Sequence, residues 1–380
     1  MGGIRERQNH LTLGMISFNV AHSSTRLASM FDIETYDYDL PPRLIAQYPA
    51  PERDRSRLLV VDRTGGGVRD QHFVDLPGLL QAGDLLVVND TKVVPARLMA
   101  KKETGGRIEL LVLDAFREGE KARRQCWCLY RASKRPKKGS RLLLDSSVWA
   151  EVLEVAKGGF VKVVFNGVGS VEALLKERGE IPLPPYIHRG KTGKSGDRDR
   201  HRYQTVFSRR EGAIAAPTAG LHFTERLLKE LQDSSIDVCG ITLHVGYGTF
   251  QPVRTRDIRK HRLAEEYFSL SAKTVKAIRQ CRERGGRVVA VGTTVVRALE
   301  TVAARAGELE PCEGMTDLLI YPGFQFKVVD ALITNFHLPM SSLLFLVSAF
   351  AGLDLIKKAY AHAVKEEYRF YSYGDAMLIL

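Results

Sequence analysis

The sequence predicts an α/β protein, with a barrel-like α/β main domain interrupted by a small all-β, barrel-like domain. Two observations carry that prediction. Apolar, β-branched runs alternate with helical ones over residues 30–96 and again over 181–380, a pattern that implies a mostly parallel sheet or a barrel. Between them, 97–180 breaks into short strand-like runs set apart by Gly, Lys and Pro turns. A chain of 380 residues also exceeds one ordinary core.

Residues 1–29 read as an extension, with Met30 as an alternative start. From Phe31 an extended segment leads to PPRLIAQ, a short helix with Pro41 and Pro42 in its first turn. SRLLVVDR (56–63) and DLLVVND (84–90) are buried strands flanking a short helix, DLPGLLQAG, stopped by glycine. The inserted strands are RLMAKKE, RIELLVLD, QCWCLYRA, SRLLLD, SVWAEVLEVA and FVKVVFNG, closed by the helical VEALLKERG; Cys126 and Cys128 alternate about Trp127 as same-face strand residues do. KTGKSGDRDRHR (191–202) is too polar to pack and reads as a loop.

Beyond it, TERLLKELQDSS is a helix capped by Thr224, VCGITLHV a strand, and SAKTVKAIRQCRERGG a helix ended by glycines. RVVAVGTT is a strand running into the helix TVVRALETVAARAG. TDLLIYPG (316–323) and VVDALITNF are further strands, and SSLLFLVSAFAG and LDLIKKAYAHAVKEEYRF are helices. SYGDAMLIL, apolar at its end, should dock rather than trail.

Fifty-six Lys and Arg against 44 Asp and Glu leave a net charge of +12, an excess suited to a phosphate-rich partner. The basic residues cluster at Arg53–Arg57, Lys134–Arg141, Arg189–Arg202 and Arg254–Arg262. Five cysteines form no disulfide framework or zinc spacing, and no apolar run reaches the roughly 20 residues of a membrane span. A cytoplasmic protein is expected.

The chemistry gathers in a few loops. GAIAAPTAGLHFT (212–224) and TLHVGYGTFQPV (242–253) hold His222 and His244 among small residues beside Thr and Pro, a setting that suits a ligand, although core packing is the plain alternative for each histidine. Their spacing is not that of metal ligands, so no metal is expected. In GRVVAVGTTVVRALE (286–300) a strand turns through Gly292, Thr293 and Thr294 into a helix; the plain alternative is Thr293 or Thr294 as an N-cap, but Arg297 one turn in favours free N–H groups presented to a carboxylate or phosphate. Neither dinucleotide nor P-loop spacing is present. ITNFHLPMSS (333–342) puts Asn335 and His337 where a strand ends and ligand groups gather, with loop packing the plain alternative; VVNDTKVVPARL (87–98) ends another on Asn89, Asp90, Thr91 and Lys92, able to hold sugar hydroxyls, with a bare turn the alternative.

Taken together, LPPRLIAQYPAPERDRSRLLV, DLLVVNDTKVVPARL, PLPPYI, YQTVFS, GAIAAPTAGLHFT, HVGYGTFQPV, GRVVAVGTTVVRALE, YPGFQFKVVDALITNFHLP and YSYGDAMLIL resemble the S-adenosylmethionine:tRNA ribosyltransferase-isomerases of queuosine biosynthesis, from about Phe31 to Leu380. The resemblance implies transfer and isomerisation of the ribosyl moiety of S-adenosylmethionine onto 7-aminomethyl-7-deazaguanine (preQ1) at the wobble position of a tRNA with a GUN anticodon, giving epoxyqueuosine-tRNA, adenine and methionine. It implies no metal; no bound prosthetic group, no membrane contact and a monomer are the further expectations. A barrel enzyme acting on a small sugar phosphate, or a non-catalytic tRNA-binding module, are the alternatives. The chain departs from the family's pattern at Tyr247, at Leu263 and Ala264, which replace a Met and a second His, and at Met340, which replaces a basic residue.

On that resemblance, one base and one acid are needed. His222 and His244 are the expected proton carriers, sharing one pocket, with Glu266 as alternative base. Thr218 and Thr249 would orient the ribose, and Phe223 or Phe250 would face the sulfonium. Arg297 and the Gly292–Thr294 turn would hold the methionine carboxylate, while Asn335 and His337 close the pocket.

Overall fold

The structure is a computed structural model describing residues 29–113, 124–189, 196–250 and 252–380. The expected extension lies outside these apart from Ser29, as does the 191–195 part of the basic stretch. Strand β1 (Arg57–Asp62) pairs with β2 (Gly67–His72); α1 (Leu76–Leu79), β3 (Leu85–Asn89) and β4 (Thr91–Val93) follow. Six strands come next: β5 (Arg97–Lys102), β6 (Arg107–Val112), β7 (Gln125–Ala132), β8 (Arg141–Leu143), β9 (Trp149–Val155) and β10 (Phe160–Asn166). They close into a barrel in the order β10-β7-β6-β5-β8-β9. Its interior is filled by alternate residues such as Leu98, Leu110, Cys126, Cys128, Val152 and Phe165, and α2 (Val171–Arg178) adds Val171, Leu174 and Leu175 to the same core.

After α3 (Asp197–Arg202), β11 (Arg210–Ala213) pairs with β4. The main sheet then gains α4 (Glu225–Asp233), β12 (Asp237–Leu243), β13 (Glu266–Leu270), α5 (Ala272–Glu283), β14 (Val288–Val291), α6 (Thr293–Ala306), β15 (Cys312–Thr316), β16 (Ala331–Asn335), α7 (Ser342–Ala351), α8 (Leu353–Lys365) and β17 (Ala376–Ile379). It has nine strands in the order β15-β13-β12-β3-β14-β16-β17-β1-β2. The four central strands β12, β3, β14 and β16 are parallel, with antiparallel partners towards each edge. Covered on both faces, β1, β3 and β14 read as apolar runs, and the period of two divides them. Leu59, Val61, Leu85, Val87, Val288 and Ala290 pack on one side, and Leu58, Val60, Leu86, Val88, Val289 and Val291 on the other.

Four local expectations are corrected. TDLLIYPG is not a strand: the ladder to β13 ends at Thr316, because the Leu318 carbonyl accepts from Arg297 Nε at 2.9 Å rather than from a neighbouring strand. The 197–202 half of the basic stretch is helical, organised by Asp199, which is buried and takes two 2.7 Å bonds from Arg189 and one of 3.0 Å from the Tyr373 hydroxyl. The segment from Phe31, read as extended, contains a single 3₁₀ turn at Ile33–Tyr36, and the expected helix in PPRLIAQ is one such turn, Pro42–Leu44.

Candidate active site

A cavity of about 560 Å³ opens at the carboxyl ends of the parallel strands, where ligands gather in open α/β sheets. The chain leaves each strand there: Val245 just after β12, Gly292 to Thr294 between β14 and α6, and Thr334 to His337 from β16. Thr218, in the 3₁₀ turn Thr218–His222, completes the polar wall. Gly292 has φ of +94°, a conformation that favours glycine, and it starts α6 without a side-chain cap. The first N–H groups of that 14-residue helix therefore face the cavity with no intrahelical partner.

A chain of hydrogen bonds crosses the wall. Thr218 Oγ1 donates to Asn335 Oδ1 (2.8 Å), Asn335 Nδ2 faces His222 Nε2 (3.1 Å), and His222 Nδ1 faces Ser56 Oγ (2.7 Å). With the amide nitrogen as donor, His222 is the neutral Nδ1–H tautomer giving its proton to Ser56. The ring stacks on Phe73 with centroids 5.0 Å apart, and burial, reinforced by Arg369 and Arg53, lowers its pKa to about 3. His337 lines the cavity itself, with Nε2 3.0 Å from Thr334 Oγ1 and its backbone N–H held by the Tyr360 hydroxyl; burial lowers its pKa to about 3 as well.

The expected shared pocket for the two histidines does not form. His222 sits behind Asn335 rather than on the cavity wall. His244 lies elsewhere, bonded through Nδ1 to Thr91 Oγ1 (2.8 Å) and stacked on Tyr267 at 5.4 Å, with Gly212 so close that a Cβ there would meet the ring at 2.6 Å. Burial, with Arg210 nearby, lowers its pKa to about 4. Each ring turns towards the partner that satisfies it.

Glu266 and Arg297 also differ from expectation. They form a buried ion pair, with Glu266 Oε1 accepting from the Gly246 N–H (2.8 Å) and Arg297 donating to the Leu318 and Thr316 carbonyls. Arg297 is thus bound to protein groups instead of facing the main cavity. The pair lines a small cleft that shares Ser342 and Leu343 with that cavity. Phe223 is fully buried edge-on against Phe73, away from the cavity, because its side chain completes the opposite face of the sheet. Thr249 and Phe250 belong to the turn Tyr247–Phe250, and their side chains lie outside the description. Asn89, one of the polar groups that end the VVND strand, clamps β12 through the Leu243 N–H and carbonyl and donates to Thr294 Oγ1.

Sequence reasoning missed the aromatic wall formed by Tyr186, Tyr203, Phe336 and Tyr371. Tyr186 and Tyr371 have centroids 3.9 Å apart, and Tyr186 Oη meets Ser372 Oγ at 2.5 Å. The double proline before Tyr186 and the turn around Tyr371, whose φ is +74°, were the available signals. Among the described residues no cluster of three His, Cys, Asp or Glu could hold a metal ion, and no helix is long and apolar enough to cross a membrane.

Comparison with known proteins adds to this geometry. The queuosine biosynthesis protein family model matches residues 33–379. The S-adenosylmethionine:tRNA ribosyltransferase-isomerase of Geotalea uraniireducens is 50% identical over 91% of this chain and 99% of its own length. That of Azoarcus sp. is 52% identical over 91% and 97%. The crystal structure of S-adenosylmethionine tRNA ribosyltransferase from Thermotoga maritima, 39% identical, covers 91% of this chain and 100% of its own with a TM-score of 0.52. The cavity at the strand ends therefore sits in a chain that belongs to the queuosine biosynthesis protein family.

Proposed function

We propose that this chain transfers the ribosyl group of S-adenosylmethionine to 7-aminomethyl-7-deazaguanine at the wobble position of a tRNA with a GUN anticodon and isomerises it to epoxyqueuosine, releasing adenine and methionine. Relatives named for S-adenosylmethionine:tRNA ribosyltransferase-isomerase activity, about half identical over nearly their whole length, support the activity. The observation that carries the site is the start of α6 in the cavity, with an aromatic wall and a polar Thr218–Asn335 pair around it. We read residues 97–180 as an inserted domain that grips the RNA, and the protein as a cytoplasmic monomer needing no metal or prosthetic group.

In this reading the backbone N–H groups of Thr293 and Thr294 hold the methionine carboxylate, and Arg297 shapes the neighbouring cleft through Glu266. Thr218, its proton directed at Asn335, offers its oxygen to a ribose hydroxyl. His222 acts through Asn335, fixing the amide, and His244 has no part in the reaction. The sulfonium acidifies the adjacent ribose C5′ hydrogens. Neutral His337 takes one of these protons; the C5′ electron pair forms a C4′–C5′ double bond as C4′–O4′ breaks, O4′ becomes a C1′ aldehyde and adenine leaves with the proton His337 returns to it. The aminomethyl nitrogen then adds to C4′ and loses a proton to solvent, C5′ bonds to C1′, and the resulting alkoxide closes the epoxide at C5′ as methionine departs. The cavity volume lies within the roughly 300–1,000 Å³ of small-molecule sites.

The deciding assay mixes the enzyme, S-adenosylmethionine and tRNA bearing the aminomethyl-deazaguanine, then follows free adenine and the mass of the modified nucleoside. Adenine release that needs the tRNA, with the matching mass gain, supports the proposal. Turnover without tRNA, or no adenine with authentic tRNA, overturns it.

A further inference from the structure

Tyr48 is the most exposed large apolar side chain of the described residues, at 56%. An isolated exposed tyrosine carries no message. This one is backed by cations: the Arg189 guanidinium lies 4.7 Å from its ring centroid and that of Arg198 lies 5.8 Å away. Arg189 is rigid, because Asp199 holds it with two bonds while the Gln47 and His188 carbonyls take two more. Arg198 is different. It is exposed, and its side chain has no hydrogen bond or ion pair among the described residues, so its charge can turn outward.

The surrounding surface is strongly basic. Arg369 donates to the Tyr48 carbonyl (3.3 Å), Arg202 to the carbonyls of Ala50 and Pro51, and Arg53 to those of Leu221 and His201. Arg53 and Arg202 have lowered pKa values, through burial first and then repulsion from a neighbouring guanidinium. Arginines repelling one another around an exposed ring form an arrangement that an anion relieves. The patch also adjoins the cavity. Gln47 donates to the Tyr186 carbonyl at 2.9 Å, and Ser372 lines both the cavity and the small cleft beneath Arg53 and Arg202.

We propose that Tyr48 is a stacking platform for an unpaired RNA base beside the one entering the cavity, with Arg198 pairing to its phosphate. The inference rests on the RNA-modifying reading above and adds a subsite to it. The chemistry is that of single-stranded recognition, in which bases splay onto aromatic rings while arginines follow the backbone. An acidic peptide would satisfy the arginines but make no use of the ring's flat face.

The test uses the full chain and tRNA transcripts carrying, one position at a time, an abasic site in the anticodon loop. Tyr48→Ala should weaken tRNA binding about 5- to 100-fold, seen in Kd and in the KM for tRNA rather than in kcat or in the KM for S-adenosylmethionine. Tyr48→Phe, which keeps the ring, should recover the loss. One abasic position should weaken the wild type and have no further effect on Tyr48→Ala. An unchanged Kd for Tyr48→Ala overturns the platform, as does a loss that is equal for every abasic transcript. Binding decides this proposal and adenine release decides the function, so the two can fail separately.

Discussion

Arg297→Met distinguishes a structural arginine from a ligand-binding one. Arg297 and Glu266 side chains are 9% and 4% exposed, so neither charge can turn to water when the other is lost. The substitution takes the Arg297 guanidinium away from the Glu266 carboxylate, which still accepts from the Gly246 N–H, and removes the donor to the Leu318 and Thr316 carbonyls. Breaking a buried pair from one side costs about 3–5 kcal/mol, whereas replacing both partners with groups of similar volume is often near neutral. Unfolding free energies from urea titration of Arg297→Met, Glu266→Gln and the double variant measure the coupling. The first should fall by that amount, and the double variant should regain much of it. If Arg297→Met unfolds like the wild type yet loses affinity for S-adenosylmethionine by calorimetry, the reasoning fails and the guanidinium belongs to the ligand's carboxylate.

The other predictions concern the cavity and the charge. His222 and His337 have folded pKa values near 3 against 6.5 unfolded, so the unfolded state binds more protons as pH falls below 6.5 and stability is lost on acidification. From pH 6.5 to 5 each should contribute about 1.5 kcal/mol of that loss, and unfolding of His222→Asn followed across the window should show a shallower slope. Thr293→Pro keeps the first position of α6 helical but deletes an N–H; calorimetry should find S-adenosylmethionine bound about 10- to 100-fold more weakly with little change in melting temperature. Asn335→Ala should lower kcat/KM for adenine release by at least about tenfold, and His222→Ala should follow it in the same direction through the shared bond. Raising salt from about 50 to 200 mM should weaken tRNA binding by at least about 100-fold in filter binding, given four basic clusters.

How far the chain could be read without coordinates depended on range. β1, β3 and β14 were legible because strands covered on both faces must be continuously apolar, and the barrel was legible because its strands alternate. The turn from β14 into α6 was equally plain, since Gly292 and the following threonines act locally. Side-chain direction was not. His222 turns to Ser56, 166 residues away, and Arg297 to Glu266, 31 residues earlier, and no local pattern encodes either partner. TDLLIYPG misled for the same reason, because a distant arginine captures a carbonyl that a neighbouring strand would otherwise use. Helix α3 was invisible to periodicity, having no apolar residue to report a face.

The seam between β16 and β1 has a temporal meaning. The strand that joins them, β17, comes later in the sequence than either, and 318 residues separate Arg57, through its backbone N–H, from the Asp375 carboxylate it contacts. The amino-terminal hairpin must therefore wait on the ribosome, its open edge exposed, until nearly everything downstream has emerged. Any chain stopped before β17 lacks the splice between the two parts of the sheet and keeps the free edges of β1 and β16 open to pairing with other chains.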